Sequence, residues 1–120
     1  MEREKPHKKL LLWKKAIELV LFVYDATKNF PRDEEYGLKS QLRRAAVSVP
    51  SNISEGLTRR TVKDKLHFLN IAQGSLSEID AQIEIGEKLH LLDETAVARA
   101  NELQTSVESL LSGLIRSIRI

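Results

Sequence analysis

Apolar residues along this 120-residue chain recur at spacings of three and four almost throughout, and β-branched residues never alternate cleanly with polar ones. A period of 3.6 therefore describes the chain better than a period of two, and the pattern predicts an all-helical protein. The first helix covers about residues 10–29. Leu10, Trp13, Ile17, Val20 and Tyr24 form one stripe along it and Leu12, Ala16, Leu19 and Val23 an adjoining one, an apolar face wider than one bundle core requires. Phe30-Pro31 closes this helix, because proline disfavours the helical conformation in the residue before it.

A second helix is predicted over residues 33–57. Asp33, Glu34 and Glu35 would sit at its N-terminus, where negative charge is favoured, and Leu38, Leu42, Ala45, Val49 and Ile53 follow as its stripe. Thr61 with Asp64 resembles a capping box and opens a third helix over 61–90, with Leu66, Leu69, Ala72, Leu76, Ile79 and Ile83 at heptad spacing. His90-Leu91-Leu92 is a short connection. Asp93 is a good N-cap for a fourth helix over 93–118, which carries Val97, Ala100, Leu103, Val107, Leu110 and Leu114. Four helices joined by short loops imply a single domain over 1–120, an antiparallel up-down-up-down four-helix bundle, elongated because the third helix would be about 40 Å long.

Val47 to Gly56, VSVPSNISEG, interrupts this regularity. Pro50 lacks the N–H that would bond the Ala46 carbonyl, so a kink in the second helix is expected. Ser48, Ser51 and Asn52 carry short polar side chains able to bond freed backbone groups, and Ile53 resumes the apolar stripe. Gly56 then either ends the helix as a left-handed cap or lets another backbone come close. One reading makes the stretch a bent helix in which Asn52 and Glu55 satisfy backbone groups or each other; the other makes it a polar notch for a ligand.

Composition narrows the chemistry. The chain has no cysteine, which excludes disulfides and thiolate sites and fits a reducing cytoplasm, and its three histidines are too scattered for a ligand pair. The N-terminal charges at Glu2, Arg3, Glu4, Lys5, Lys8 and Lys9 precede an apolar run broken by Lys14, Lys15 and Glu18, so neither a signal peptide nor a spanning segment is expected. Charge is polarised: residues 1–65 hold 15 Lys/Arg against 9 Asp/Glu, and residues 66–120 hold 4 against 8. That permits an anionic partner on one face, or self-association of unlike halves. Candidate phosphate contacts are Lys39, Arg43 and Arg44 on the second helix, Arg59 and Arg60 in the loop after it, and Lys63 and Lys65 opening the third. No aromatic residue interleaves with them in sequence as a stacking platform would require.

The order YGLKSQLRRAAVSVPSNISEG, Tyr36 to Gly56, followed by FLNIAQGSLSEID, Phe68 to Asp80, resembles the four-helix-bundle family of 23S ribosomal RNA intervening-sequence proteins. The likeness extends from about Leu12 to Leu92. Ser48, Pro50, Asn52, Glu55, Gly56, Ser75 and Glu78 match the family's signature and are taken as structural residues. Ser54 stands where the pattern usually has Ala, and Gln73 where a basic residue is frequent. Members are small bacterial proteins, and relatives serve the reverse transcriptases of diversity-generating retroelements. The resemblance implies a ring-shaped homopentamer that contacts nucleic acid, without catalysis, cofactor or metal.

Two functions follow as expectations: RNA or DNA binding through the basic surface, largely independent of base sequence, and, as the alternative, a protein–protein scaffold using the wide apolar faces, with no nucleic-acid role; a third class, an enzyme, is not expected. For the last, Asn52, Glu55 and His67 are the only conceivable acid/base group, and no nucleophile with a partner base accompanies them.

Overall fold

The computed structural model describes residues 6–119; Glu2, Arg3, Glu4 and Lys5 lie outside them. Among the described residues the chain is all-helical, with α1 (Pro6–Thr27), α2 (Leu38–Thr58), α3 (Val62–Lys88) and α4 (Glu94–Arg119), and a 3-10 turn at Arg32–Glu34 between α1 and α2. α1 packs on α2 and α4, and α3 packs on α2 and α4, while among the described residues the backbones of the diagonal pairs stay farther apart. The four helices thus stand at the corners of a square in an elongated body of 49 × 24 × 18 Å. None of these helices is long and apolar enough to cross a membrane.

The helix starts follow local chemistry. Thr61 Oγ1 accepts from the Asp64 N–H at 3.1 Å, and Asp93 Oδ1 accepts from the Ala96 N–H at 2.8 Å, so both predicted N-caps are formed. The start of α2 differs from the expectation. Residues 33–35 do not begin it; Glu34 instead reaches forward and accepts the Leu38 N–H at 2.8 Å. The reason is Gly37, which breaks the run ahead of α2. A Cβ there would lie 2.7 Å from the Glu34 carboxylate, so the missing side chain leaves room for that cap.

α3 ends in a Schellman motif: the His90 N–H bonds the Glu87 carbonyl at 3.0 Å and the Leu91 N–H bonds the Gly86 carbonyl at 2.9 Å. His90 occupies the left-handed position with φ of 60°, a place where glycine is the usual choice. The returning chain lays Leu92 against Gly86, where a Cβ would come within 2.8 Å of the leucine Cδ1.

The core comprises Leu12, Ala16, Leu19 and Val23 of α1, Leu42, Val49 and Ile53 of α2, Leu69, Ile79 and Ile83 of α3, and Leu103, Val107 and Leu111 of α4. α1 therefore inverts the expected hierarchy. The stripe read as surplus is the core, and the Leu10–Tyr24 stripe turns outward, with Leu21 beside it 65% exposed and Trp13 40% exposed. The two stripes are displaced by roughly one residue's rotation, about 100°, and α1 centres on the one containing Ala16, whose small side chain faces the interior. Ile17 and Val20 end half-buried between them.

Candidate nucleic-acid interface

Pro50 is buried within α2, which remains helical from Leu38 to Thr58. Around it Ser48 and Asn52 are turned inward and used, whereas Ser51 is exposed and makes no side-chain hydrogen bond among the described residues. The Asn52 amide donates to the Ser48 carbonyl at 2.8 Å and to the Ser48 hydroxyl at 3.0 Å. The Ser48 hydroxyl in turn shares a 2.8 Å hydrogen bond with that of Ser75, which is buried on α3. The polar side chains of the notch are thus engaged in a clasp between two helices. Glu55 takes no part in it; it points outward and pairs with Arg59 at 2.7 Å. Gly56 serves the close approach and not a left-handed cap: it is buried inside α2, and a Cβ there would meet Leu69 at 3.0 Å and the Lys65 carbonyl at 3.1 Å. Glu78 is exposed on α3.

The seven basic candidates separate into two clusters at the ends of α2, some 17 residues or about 25 Å apart along the helix. At the first, Arg43 folds back on α1. Its Nε donates to Thr27 Oγ1 at 2.9 Å, its Nη2 donates to the Tyr24 carbonyl at 3.0 Å, and its guanidinium lies 4.3 Å over the Tyr24 ring. Thr27 passes its own hydroxyl proton to the Val23 carbonyl at 2.8 Å. A cation here satisfies the unpaired carbonyls and the negative end of α1. Nearby, Lys28 donates to Asp25 at 2.8 Å, and that hydrogen bond, with the carboxylate's charge, raises the lysine pKa above its ordinary value. Lys39 is largely covered and pairs with Glu35 at 3.2 Å. Arg44 is exposed, with no hydrogen bond or ion pair among the described residues.

The second cluster has the same division of labour. Arg59, besides pairing with Glu55, lies 4.6 Å over the Phe68 ring, and Lys65 Nζ donates to the Leu57 carbonyl near the end of α2 at 3.4 Å. Arg60 and Lys63 are exposed and carry no partner among the described residues. Each cluster therefore spends some cations on helix ends and aromatic rings and keeps others for solvent.

The fold supplies aromatic neighbours that the linear order conceals. Tyr24, Tyr36, Lys39, Arg43 and Arg44 line one open cavity of about 440 Å³, together with Glu35, Ser40 and Val47. Tyr24 arrives from the end of α1 and Tyr36 from the turn before α2, so two rings stand beside three basic side chains. Rings that do not interleave with the basic residues in the linear order are thus brought beside them by the fold. Gln73, at the position where a basic residue is frequent, donates to Glu108 of α4 at 3.4 Å.

On the other side of the square, α3 and α4 enclose a groove of about 430 Å³ lined by Leu76, Ser77, Asp80, Gln104, Thr105, Glu108 and Ser109. A continuation of about 360 Å³ adds Glu84, Glu87 and Asn101. Within this wall, the Gln104 Nε2 is buried without a partner among the described residues; elsewhere on α3 the same holds for the Gln82 Oε1.

Comparison with known proteins places the chain's fold and family. A solved structure of a protein of unknown function from the S23 ribosomal protein family of Bacteroides thetaiotaomicron superposes with a TM-score of 0.83 at 20% identity, over 91% of this chain and 98% of that one. At that identity the likeness speaks for the fold. No curated protein matches the chain. The model of the 23S rRNA-intervening sequence proteins matches residues 8–113, nearly all four helices, and the chain belongs to that family.

Proposed function

We propose that the protein is a non-enzymatic, oligomeric helical bundle that binds RNA or DNA through its basic surface with little regard to base sequence. The observation that carries this reading is the joint placement of Tyr24, Tyr36, Arg43 and Arg44 around one cavity, with Arg60 and Lys63 exposed at the other end of α2. Phosphate contacts of this kind supply affinity and salt dependence, whereas sequence is read through base edges, for which no recognition element is present.

Oligomerisation follows from α1. Leu10, Trp13 and Leu21 form an exposed apolar stripe of the kind that marks an interaction surface, and a second copy is the occupant favoured by the family resemblance, which also supplies the pentamer number. Assembly would place several copies of each basic cluster on one particle and turn a modest patch into a strong one. In the full reading, consecutive helices alternate in direction, Pro50 bends α2, and the protein works in the cytoplasm, where a chain without cysteine is at no disadvantage.

The test is a titration of labelled RNA at two salt concentrations, with native mass spectrometry of the same sample. The Arg44→Glu/Arg60→Glu variant should lose at least tenfold in affinity at low salt and show a flatter salt dependence, with the oligomer intact. A second reading, a scaffold for another protein such as a reverse transcriptase, rests on the same α1 stripe. It gains ground if the charge reversals leave RNA retention unchanged while Trp13→Ser/Leu21→Ser abolishes assembly.

A further inference from the structure

We propose that the cavity between the end of α1 and the start of α2 holds an unpaired base, so that the protein prefers single-stranded over duplex nucleic acid. This rests on the nucleic-acid reading above and adds to it a class of ligand.

Tyr36 is the starting point. Its ring is 94% exposed in the short turn before α2, so it contributes little to folding and presents its surface to solvent. Tyr24, which lines the same cavity, is 41% exposed, and one face of its ring already carries the Arg43 guanidinium at 4.3 Å. That guanidinium is fixed by its bonds to Thr27 and the Tyr24 carbonyl, so the stacked pair exists before any ligand arrives. A flat aromatic ligand therefore meets one solvent-exposed ring and one ring–guanidinium plane held by hydrogen bonds, the two surfaces on which bases stack regardless of identity. The cavity, about 440 Å³, falls in the range of small-ligand sites, roughly 300–1,000 Å³.

The electrostatics suit a base that brings a phosphate with it. The single carboxylate in the lining, Glu35, is paired with Lys39 at 3.2 Å and so offers reduced repulsion. Arg44 is exposed on the rim without a partner among the described residues. A duplex keeps its bases stacked on one another and can offer this cavity only its backbone, so it would use Arg44, Arg60 and Lys63 and leave the rings idle.

The experiment compares a labelled 12-nucleotide oligouridylate with a blunt 12-base-pair RNA duplex, titrated by anisotropy against the full chain at two salt concentrations. The single strand should bind several-fold tighter. Tyr36→Ala should weaken single-strand binding about five- to hundredfold, the range expected for loss of one stacking ring, and leave duplex binding within twofold. Tyr36→Phe should retain the preference and Tyr36→Leu should lose it, which separates stacking from hydroxyl bonding and from plain apolar contact. Equal binding of the two forms, or a preference that survives Tyr36→Ala, overturns the base-holding cavity while leaving general nucleic-acid binding intact. Failure to bind either form at low salt overturns both.

Discussion

Two concave faces of the bundle are nearly the same size and opposite in character. The α1–α2 cavity measures about 440 Å³ and is walled by two tyrosines and three basic side chains. The α3–α4 groove measures about 430 Å³ and is walled by Ser77, Thr105 and Ser109 with Asp80 and Glu108. Volume therefore says nothing about which face meets an anion; the difference lies in the charge and in the rings. The unequal distribution of charge along the chain, with a positive first half and a negative second half, becomes in three dimensions a difference between two sides. An approaching polyanion is attracted to one and repelled from the other, which orients it before contact.

The comparison can be broken most severely through the packing that both faces share. Gly56→Val should cost up to about 3 kcal/mol, because a side chain there meets Leu69 and the Lys65 carbonyl at 3.0–3.1 Å; thermal unfolding followed by circular dichroism measures it. A smaller effect of the opposite sign is expected in the acidic wall. Gln104→Leu should raise stability by about 1 kcal/mol, since it removes a buried donor that has no partner among the described residues. Nucleic-acid affinity should stay unchanged, and a loss of affinity would show that the α3–α4 face takes part in binding. Smallest is the long-range term. Asp80→Asn/Glu84→Gln should raise RNA affinity about twofold at low salt and have no effect at high salt, where charges more than about 10 Å apart are screened.

Much of this fold was legible in the linear pattern because it is set by neighbours in sequence. The four helices and the caps at Thr61 and Asp93 depend on spacings of three or four residues, and the family signature lies in two continuous stretches of sequence. What the pattern could not settle depends on which surfaces meet. α1 carries two apolar stripes of comparable strength, and only the placement of α2 and α4 on either side of it decides that Leu12, Ala16, Leu19 and Val23 go inward. The start of α2 was misjudged because the acidic run Asp33–Glu35 suits a helix N-terminus equally well from the turn before it, where Glu34 caps Leu38 from outside. The cavity was hidden for a similar reason. Tyr24 and Tyr36 are twelve positions apart and belong to different elements, and the turn between α1 and α2 brings both to Arg43 and Arg44.

The clasp of Ser48, Asn52 and Ser75 has a consequence at both ends of α2. Leucines and isoleucines can slide past one another by a turn, about 5.4 Å, at modest loss, but hydroxyls displaced that far would be stranded in hydrocarbon. The clasp thus indexes α2 against α3 at a single setting. Since α2 bears Arg44 near one end and leads into Arg60 at the other, the same setting holds two exposed cations at a constant interval, and under the proposed nucleic-acid reading the rod between them would act as a gauge for the span of backbone that can touch both.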